Sequence, residues 1–394
     1  MMQVSIVIVS YKVQYLLQQC IQSVLEASAN IKTEIIVVDN NSDDGSYEYL
    51  QRKFQEVQFI ENKQNLGFSK ANNQGVSIAN GTYVLILNPD TVIAEDTLVK
   101  LLNFADEKVN LGIVGVKLID GTGRFLLESK RGIPTPMVSF NKLFGISKKQ
   151  SSKYYAKHLG EDETGKVPIL VGAFMFMKRA VYEGVKGFDE DYFMYGEDID
   201  LSYKVWKRGY ENYYFSDTQV IHYKGESTQR NVKYLNYFLG AMKIFYKKHF
   251  KLNPFFYLLM ELGRGSWYLS KYIKNSYQSD QKEIKSFNSL LLTNNKELPK
   301  AFEKINCRVE TNLEISTAEL ATMIEDEEVD ELIFDNDVLT NKKIIQHMQL
   351  LQKKPVVFKI KPKNAHFIIG SVGERFKCEV LFLKVHSSND GSSF

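Results

Sequence analysis

The chain has 394 residues, 44% of them hydrophobic and 25% charged, and a formal net charge of only +3 at pH 7. The length exceeds the ~250–300 residues at which single cores stop growing, so more than one domain is expected. The near-neutral balance excludes a bulk nucleic-acid binder. The three scattered cysteines, Cys20, Cys307 and Cys378, fit a reducing compartment and give no metal-ligand spacing.

The apolar run Val4–Val9 is too short for a signal segment and has no basic residues before it. It reads instead as the first of a series of strands, continued by Glu34–Asp39, Val57–Ile60, Tyr83–Leu87 and Ile113–Lys117. Helical patterns fill the gaps, as at Tyr15–Leu25, where Leu16, Cys20, Val24 and Leu25 share one side. Alternating strands and helices imply a mostly parallel sheet covered on both faces. The stretch from about Asp120 to Lys166 is loop-rich, with Pro134, Pro136 and a Ser/Lys run, and is expected to be a lid or a surface excursion. Regular structure is expected to resume at Ile169–Lys178 and Asn212–Ile221.

Arg230–Phe250 has helical spacing of Leu235, Phe238, Leu239, Met242, Phe245 and Tyr246, and Pro254 restarts the chain into the aromatic run Phe255–Lys274. Nine Lys/Arg and one carboxylate, Glu261, lie between Arg230 and Lys274. Such a segment suits the surface of an anionic membrane. A plain helical pair packed between domains is the alternative. No stretch approaches ~18 uninterrupted apolar residues, so no membrane-spanning helix is expected. A third unit carries expected strands at Ser289–Thr293, Glu331–Phe334, Pro355–Ile360 and His366–Ile369. Its expected helices are Lys296–Ile305, Ala318–Asp326 and Asn341–Lys353. The expected division is therefore 1–229, a helical connector over 230–280, and a smaller Rossmann-like α/β domain over 281–394.

Chemistry concentrates at strand ends, where ligands of open α/β sheets sit. The fourth strand stops on Asn88-Pro89-Asp90-Thr91; Asp90 is a hard oxygen ligand suited to Mg²⁺ or Mn²⁺, or alternatively a turn residue before the next helix. Asp39 ends the second strand before Asn40-Asn41-Ser42-Asp43-Asp44-Gly45, a place from which a carboxylate can hold a base or ribose. A calcium loop is excluded there, because the glycine falls one place late and Leu50 sits where a bidentate glutamate belongs. An Asx turn is the alternative for Asn40–Gly45. Neither G-x-G-x-x-G nor a Walker loop occurs, which argues against dinucleotide oxidoreductases and P-loop NTPases. Asn65-Leu66-Gly67-Phe68 leads instead into a helix whose N-terminal amides can meet a polar ligand. Glu197-Asp198 follows an aromatic loop and suits a general base, with an N-cap as the plainer role of Asp198. His222 is a lone histidine after a strand.

These pieces in this order resemble an inverting family 2 glycosyltransferase of the GT-A fold. They are most similar to the rhamnosyltransferase-like branch of bacterial surface polysaccharide synthesis. The resemblance covers Val4 to about Thr228, through Asp39 to Ser46, Asn65 to Asn73, Asn88 to Thr91, Gly187 to Leu201, and the His222-x-x-Gly225-x-Ser227 spacing. It implies nucleotide-sugar binding by Ser10, Tyr11, Asp39, Asn41, Gly67, Phe68, Asn72 and Asn88. It implies a metal, Mg²⁺ or Mn²⁺, on Asp90 and His222. It implies acceptor binding by Gly172, Asp189 and Glu197, with catalysis by Asp198 beside Glu197. The donor it implies is a nucleotide-diphosphate sugar and the acceptor a glycan or lipid-linked hydroxyl. The location would be cytoplasmic, with contact at the inner face of the membrane. Two departures stand out: Asn88 replaces the first acid of a D-x-D motif, and Asn72 stands where other branches often carry arginine. The competing readings are a sugar nucleotidyltransferase, which needs a basic Gly-rich loop where Ser10-Tyr11-Lys12-Val13-Gln14 stands, and a non-catalytic nucleotide-sugar binder.

Overall fold

The structure is a computed structural model that describes residues 2–136, 138, 154–224, 232–250, 288–301, 306–371 and 378–383. The N-terminal half begins β1 (Val4–Ser10), α1 (Gln14–Ala27), β2 (Thr33–Asp39), α2 (Ser46–Lys53), β3 (Gln58–Glu61), α3 (Phe68–Ser77) and β4 (Tyr83–Leu87). β1 pairs in parallel with β2 and β4, and β2 with β3. β1 is buried along its whole length because both faces of the sheet are covered, so apart from Ser5 and Ser10 the strand is apolar. Its side chains still alternate between layers: Val4, Ile6 and Ile8 join the core containing Leu17 and Ile21 of α1, whereas Val7 and Val9 join the one containing Ala71 and Val76 of α3.

The chain continues through β5 (Thr91–Ile93), α4 (Thr97–Asp106), β6 (Leu111–Ile119), β7 (Lys130–Arg131), β8 (Gly165–Lys166), β9 (Ile169–Leu170), β10 (Phe174–Lys178), α5 (Arg179–Gly184), α6 (Glu197–Lys207) and β11 (Glu211–His222). The sheet order is β3-β2-β1-β4-β10-β6-β11-β5, with β8 on β11. β10 runs antiparallel to β4 and β6, and β5 antiparallel to β11, so the mostly parallel sheet has antiparallel insertions. The regular structure expected over Ile169–Lys178 consists of two strands. β9 pairs with β7 in a separate ribbon, and the chain turns at Val171–Ala173 before β10 enters the main sheet. Within the loop-rich stretch after Asp120, β7 and β8 are ordered secondary structure; residues 139–153 lie outside the described residues.

α7 (Val232–His249) lies on α6: Leu239, Ala241, Phe245 and Tyr246 form a small core with Tyr192, against which Ile199 and Tyr203 pack. The aromatic continuation Phe255–Lys274 and the Gly225 and Ser227 positions lie outside the described residues. The C-terminal unit is a second sheet, β13-β12-β14-β15-β16-β17, built from β12 (Asn288–Leu292), β13 (Asn306–Glu310), β14 (Glu331–Asp335), β15 (Val357–Lys361), β16 (Phe367–Ser371) and β17 (Cys378–Phe382). The first four pair in parallel, β16 pairs antiparallel with β15, and β17 antiparallel with β16. Its helices are α8 (Thr317–Asp326) and α9 (Asn341–Leu351). β13 and β17 were not expected, and the described part of the Lys296–Ile305 helix is a 3₁₀ turn, Leu298–Ala301.

The two sheets share a core. Val13, Leu16, Val92, Ala94, Ile119, Ile221 and Tyr223 pack with Leu290, Phe334, Ile344 and Phe367. Glu95 accepts the amides of Asn341 at 2.6 Å and Lys342 at 3.0 Å, and Glu26 accepts the Asn341 side chain at 2.7 Å. Carboxylates at the N-terminus of α9 satisfy its free amides and complement its dipole. The smaller domain thus seals the flank that carries β5 and the end of β11. Among the described residues, no helix is long and apolar enough to cross a membrane.

Candidate active site

The strand ends come together through backbone register. Ser10 and Asp39 are direct neighbours across β1 and β2, and the Asn40 amide donates to the Ser10 carbonyl at 2.8 Å. Asp39 accepts from the Ser42 hydroxyl at 2.5 Å and the Ser42 amide at 3.0 Å, so the Asx turn includes Asp39 as well as the residues after it. Asn41 follows with φ 67° and Lys12 with φ 58°, and the Lys12 amide donates to Ser42 Oγ, which ties the loops after β1 and β2 together beside Tyr11. Asn40, which the sequence reading passed over, is the hub. Its amide donates to Asn65 Oδ1 at 2.9 Å and the Gly67 carbonyl, and its oxygen accepts from Asn62 and the Leu66 amide. No sequence pattern separates it from Asn41, because its four partners lie 22–27 residues away.

Gly67 opens α3 with φ 83° and ψ 170°, a conformation open essentially to glycine alone. Phe68 donates its amide to the Phe193 carbonyl at 2.8 Å, and its ring packs edge-on against Phe188 at 5.7 Å. Asn72 folds back onto the Phe68 carbonyl, leaving its buried Oδ1 without a hydrogen-bond partner among the described residues. Asn73 takes the amide of Phe188 and donates to its carbonyl. The loop before α3 is therefore clamped to the aromatic loop before α6.

Asp90 and His222 meet where β5 pairs with β11. His222 lies opposite Thr91, and its Nε2 is 3.4 Å from Asp90 Oδ1. Both side chains are buried, and Asp90 Oδ1 and His222 Nδ1 lack a hydrogen-bond partner among the described residues. A carboxylate oxygen and an imidazole nitrogen left in this state suit a divalent cation whose other ligands are diphosphate and water. Among the described residues, no group of three or more His, Cys, Asp or Glu gathers around one point, so the protein would supply a sparse ligand set. Asn88 approaches by its backbone: its amide donates to the Ala173 carbonyl at 3.0 Å, and its carbonyl accepts from Thr91.

The Glu197-Asp198 pair begins α6, whose N-cap is Gly196 at φ 81°, so Asp198 is not the cap. Acidic residues in that first turn favour the helix dipole. Asp198 Oδ2 accepts from Arg131 Nη2 at 2.5 Å and the Gly172 amide at 3.1 Å, and Oδ1 accepts the Ile199 amide at 2.8 Å. Glu197 is buried, its Oε2 has no hydrogen-bond partner among the described residues, and its pKa is pushed up to about 8, first by burial and then by the Asp198 charge. One of the two acids is thus neutral at pH 7. Asp189 is engaged by Lys248 of α7, which also pairs with Asp191, and burial of Asp189 is outweighed by that cation, so its pKa is lowered. The Gly172–Ala173 dipeptide links the two regions, donating to Asp198 on one side and accepting from Asn88 on the other.

The description "Glycosyl transferase family 2" matches residues 5–185. Those residues form a family 2 glycosyltransferase domain. The chain is 27% identical over 224 residues to an N-acetylglucosaminyl-diphospho-decaprenol L-rhamnosyltransferase of Mycobacterium tuberculosis, covering 52% of this chain and 72% of the relative. It is 26% identical over 221 residues to a low-salt glycan biosynthesis hexosyltransferase of Haloferax volcanii, covering 55% of this chain and 65% of that protein. A solved mannosyltransferase from Pyrobaculum calidifontis, in complex with GDP-Man and Mn²⁺, aligns with TM-score 0.44 and 17% identity over 71% of this chain and 76% of its own. The glycosyltransferase domain has the mostly parallel α/β sheet expected of its family.

Proposed function

We propose that this glycosyltransferase moves a sugar from a nucleotide-diphosphate sugar to a hydroxyl of a glycan or lipid-linked acceptor, with inversion, in cell-surface polysaccharide synthesis. The observation that carries the reading is the Gly172–Ala173 bridge, which ties the strand end of Asn88 and Asp90 to the Asp198 carboxylate. In this reading Asp39 and the Asn40-organised loops, with Ser10, Tyr11, Asn41, Gly67, Phe68, Asn72 and Asn88, take the nucleotide sugar. Asp198 accepts the proton of the acceptor hydroxyl as its oxygen forms the new bond to the anomeric carbon and the bond to the diphosphate breaks. Attack opposite the leaving group inverts the anomeric centre. Glu197 and Gly172 line the acceptor side. Asp189 joins them only if it exchanges its contact with Lys248. A divalent cation, Mg²⁺ or Mn²⁺, held by Asp90 and His222 would supply charge neutralisation to the departing diphosphate.

The division at residues 230 and 281 belongs to this reading, as does contact with an anionic membrane at the inner leaflet. Lys248 is already paired with Asp189 and Asp191, so lipid contact would fall to Lys247 and to Lys251 and the residues beyond it. Charge reversal at Lys247 and Lys251 should abolish salt-sensitive flotation with anionic liposomes; absence of flotation in the unaltered protein removes the membrane from the proposal.

The deciding experiment screens nucleotide sugars for hydrolysis and transfer, then determines the product anomer by NMR. Asp198→Asn should lower turnover by ~10²-fold or more while leaving nucleotide binding in place. Near-normal turnover by the folded variant removes Asp198 as the base, and a retained anomer overturns inversion. Incorporation of a nucleoside triphosphate into a sugar phosphate would favour the nucleotidyltransferase instead.

A further inference from the structure

Arg131 sits in a stretch read from sequence as a lid or a surface excursion, yet the residue is nine-tenths buried. It arrives there because the chain doubles back after β6. β7 pairs with β9 in register Arg131 to Ile169 and Lys130 to Leu170, which fixes the Arg131 backbone beside the segment entering Gly172. Nη2 donates to the Leu170 carbonyl at 2.8 Å and to Asp198 Oδ2 at 2.5 Å. Tyr154 adds a further hydrogen bond. One small ribbon therefore delivers both the Arg131 guanidinium and the Gly172 amide to the same carboxylate oxygen. Burial works against the charge of Arg131, and the Asp198 carboxylate more than offsets it, so the guanidinium stays protonated.

We infer that Arg131 is a positioning residue for the transfer reaction, holding the Asp198 carboxylate in one rotamer so that the remaining lone pair of Oδ1 faces the acceptor hydroxyl. The inference rests on the reading of Asp198 as the proton acceptor. A buried carboxylate at a helix start has several ways to turn, and of its neighbours in the first turn Glu197 is neutral at pH 7 and Asp200 pairs with Lys204 and His249. The guanidinium, a rigid planar donor, selects among Asp198 orientations where a point charge on a flexible stem would not. The ribbon also makes the contact conditional on folding of the β7–β9 pair, so the base is assembled only when residues 130–131 and 169–172 lie side by side.

The test uses the full chain with the nucleotide sugar that supports turnover. Arg131→Ala should lower kcat by ~10²-fold, the scale of a misplaced catalytic group, with nucleoside diphosphate affinity and donor KM within ~3-fold of the parent. Arg131→Lys should recover only part of the loss, since a single ammonium does not reproduce the fork. Added guanidinium ion at millimolar concentration should raise the rate of Arg131→Ala and leave the parent unaffected. In an Asp198→Asn background Arg131→Ala should cost nothing further, because the two residues act as a unit. Undiminished kcat in folded Arg131→Ala overturns the inference, as does equal loss of nucleotide affinity or an undiminished penalty in the Asp198→Asn background. An Asp198→Asn protein that keeps full turnover instead brings down the base assignment itself, a separate failure.

Discussion

Gly67→Ala tests the link between the loop before α3 and the aromatic loop before α6. A Cβ at residue 67 would lie 2.5 Å from the Phe193 carbonyl oxygen and 2.7 Å from Phe193 Cδ2, closer than any side-chain carbon tolerates. The φ of 83° and ψ of 170° add strain of about 1–3 kcal/mol for a non-glycine residue. Relieving the clash means moving Phe193 away, which breaks the bond from the Phe68 amide to its carbonyl, a further ~0.5–1.5 kcal/mol. Alanine returns ~0.4–1 kcal/mol by narrowing the unfolded ensemble. The net loss of local stability is therefore about 0.5–4 kcal/mol, centred near ~2, which speeds opening of the segment ~30-fold. Hydrogen exchange over residues 66–70 reads that opening directly, and calorimetry reads nucleoside diphosphate affinity alongside it. Unchanged exchange together with affinity within ~2-fold of the parent refutes the argument that this close approach holds the loop before α3 in place.

Glu197→Gln should gain stability relative to the parent as pH rises. The folded pKa of about 8 lies above the ordinary carboxyl value of 4.5, so the contribution of neutral Glu197 is present below pH ~4.5 and is lost as pH approaches 8. Urea titrations of both proteins at pH 5, 6.5 and 8 check this, and a pH-independent difference counts against a neutral Glu197. Glu95→Ala should loosen docking of the C-terminal domain by about 1–3 kcal/mol, through loss of the two amide contacts at 2.6 and 3.0 Å. Faster hydrogen exchange at residues 341–344, with the β12–β15 strands still protected, is the expected signature. His222→Ala should abolish the Mg²⁺- or Mn²⁺-dependent part of nucleoside diphosphate binding seen by calorimetry, leaving the metal-free part unchanged. An unaltered metal dependence would make His222 a structural partner of Asp90.

The fold class was legible because a sheet covered on both faces leaves a direct record. Val4–Ser10, Thr33–Asp39 and Tyr83–Leu87 carry the apolar, largely β-branched runs Ile6–Val9, Ile35–Val38 and Tyr83–Leu87, and helices fill the intervals. The carboxylates Asp39 and Asp90 were legible for the same reason, since each terminates such a run. What escaped were elements too short to have a period, β5 with three residues and β7 with two, and the edge strands β13 and β17 of the second sheet, whose five residues mix polar and apolar side chains. Asp198 was identified as a carboxylate at a helix start, but its role as N-cap does not hold, because Gly196 takes that place with a left-handed backbone.

The sequence by itself determined the strand order of chemistry along the chain: which acids stand at strand ends, which glycine opens α3, and which acidic pair opens α6. These are local properties, set by periodicity and by the side chain next to a turn. Only the tertiary structure decided which of them meet. Arg131 reaches Asp198 across 67 residues, Asn73 reaches Phe188 across 115, and Asn341 caps onto Glu95 across 246. Such contacts depend on chain reversals and register, where a lysine–arginine dipeptide on a buried ribbon and one on a solvated loop look the same in sequence. Burial gives the pairing its physical weight, because a charge removed from water must find its partner wherever the fold brings one.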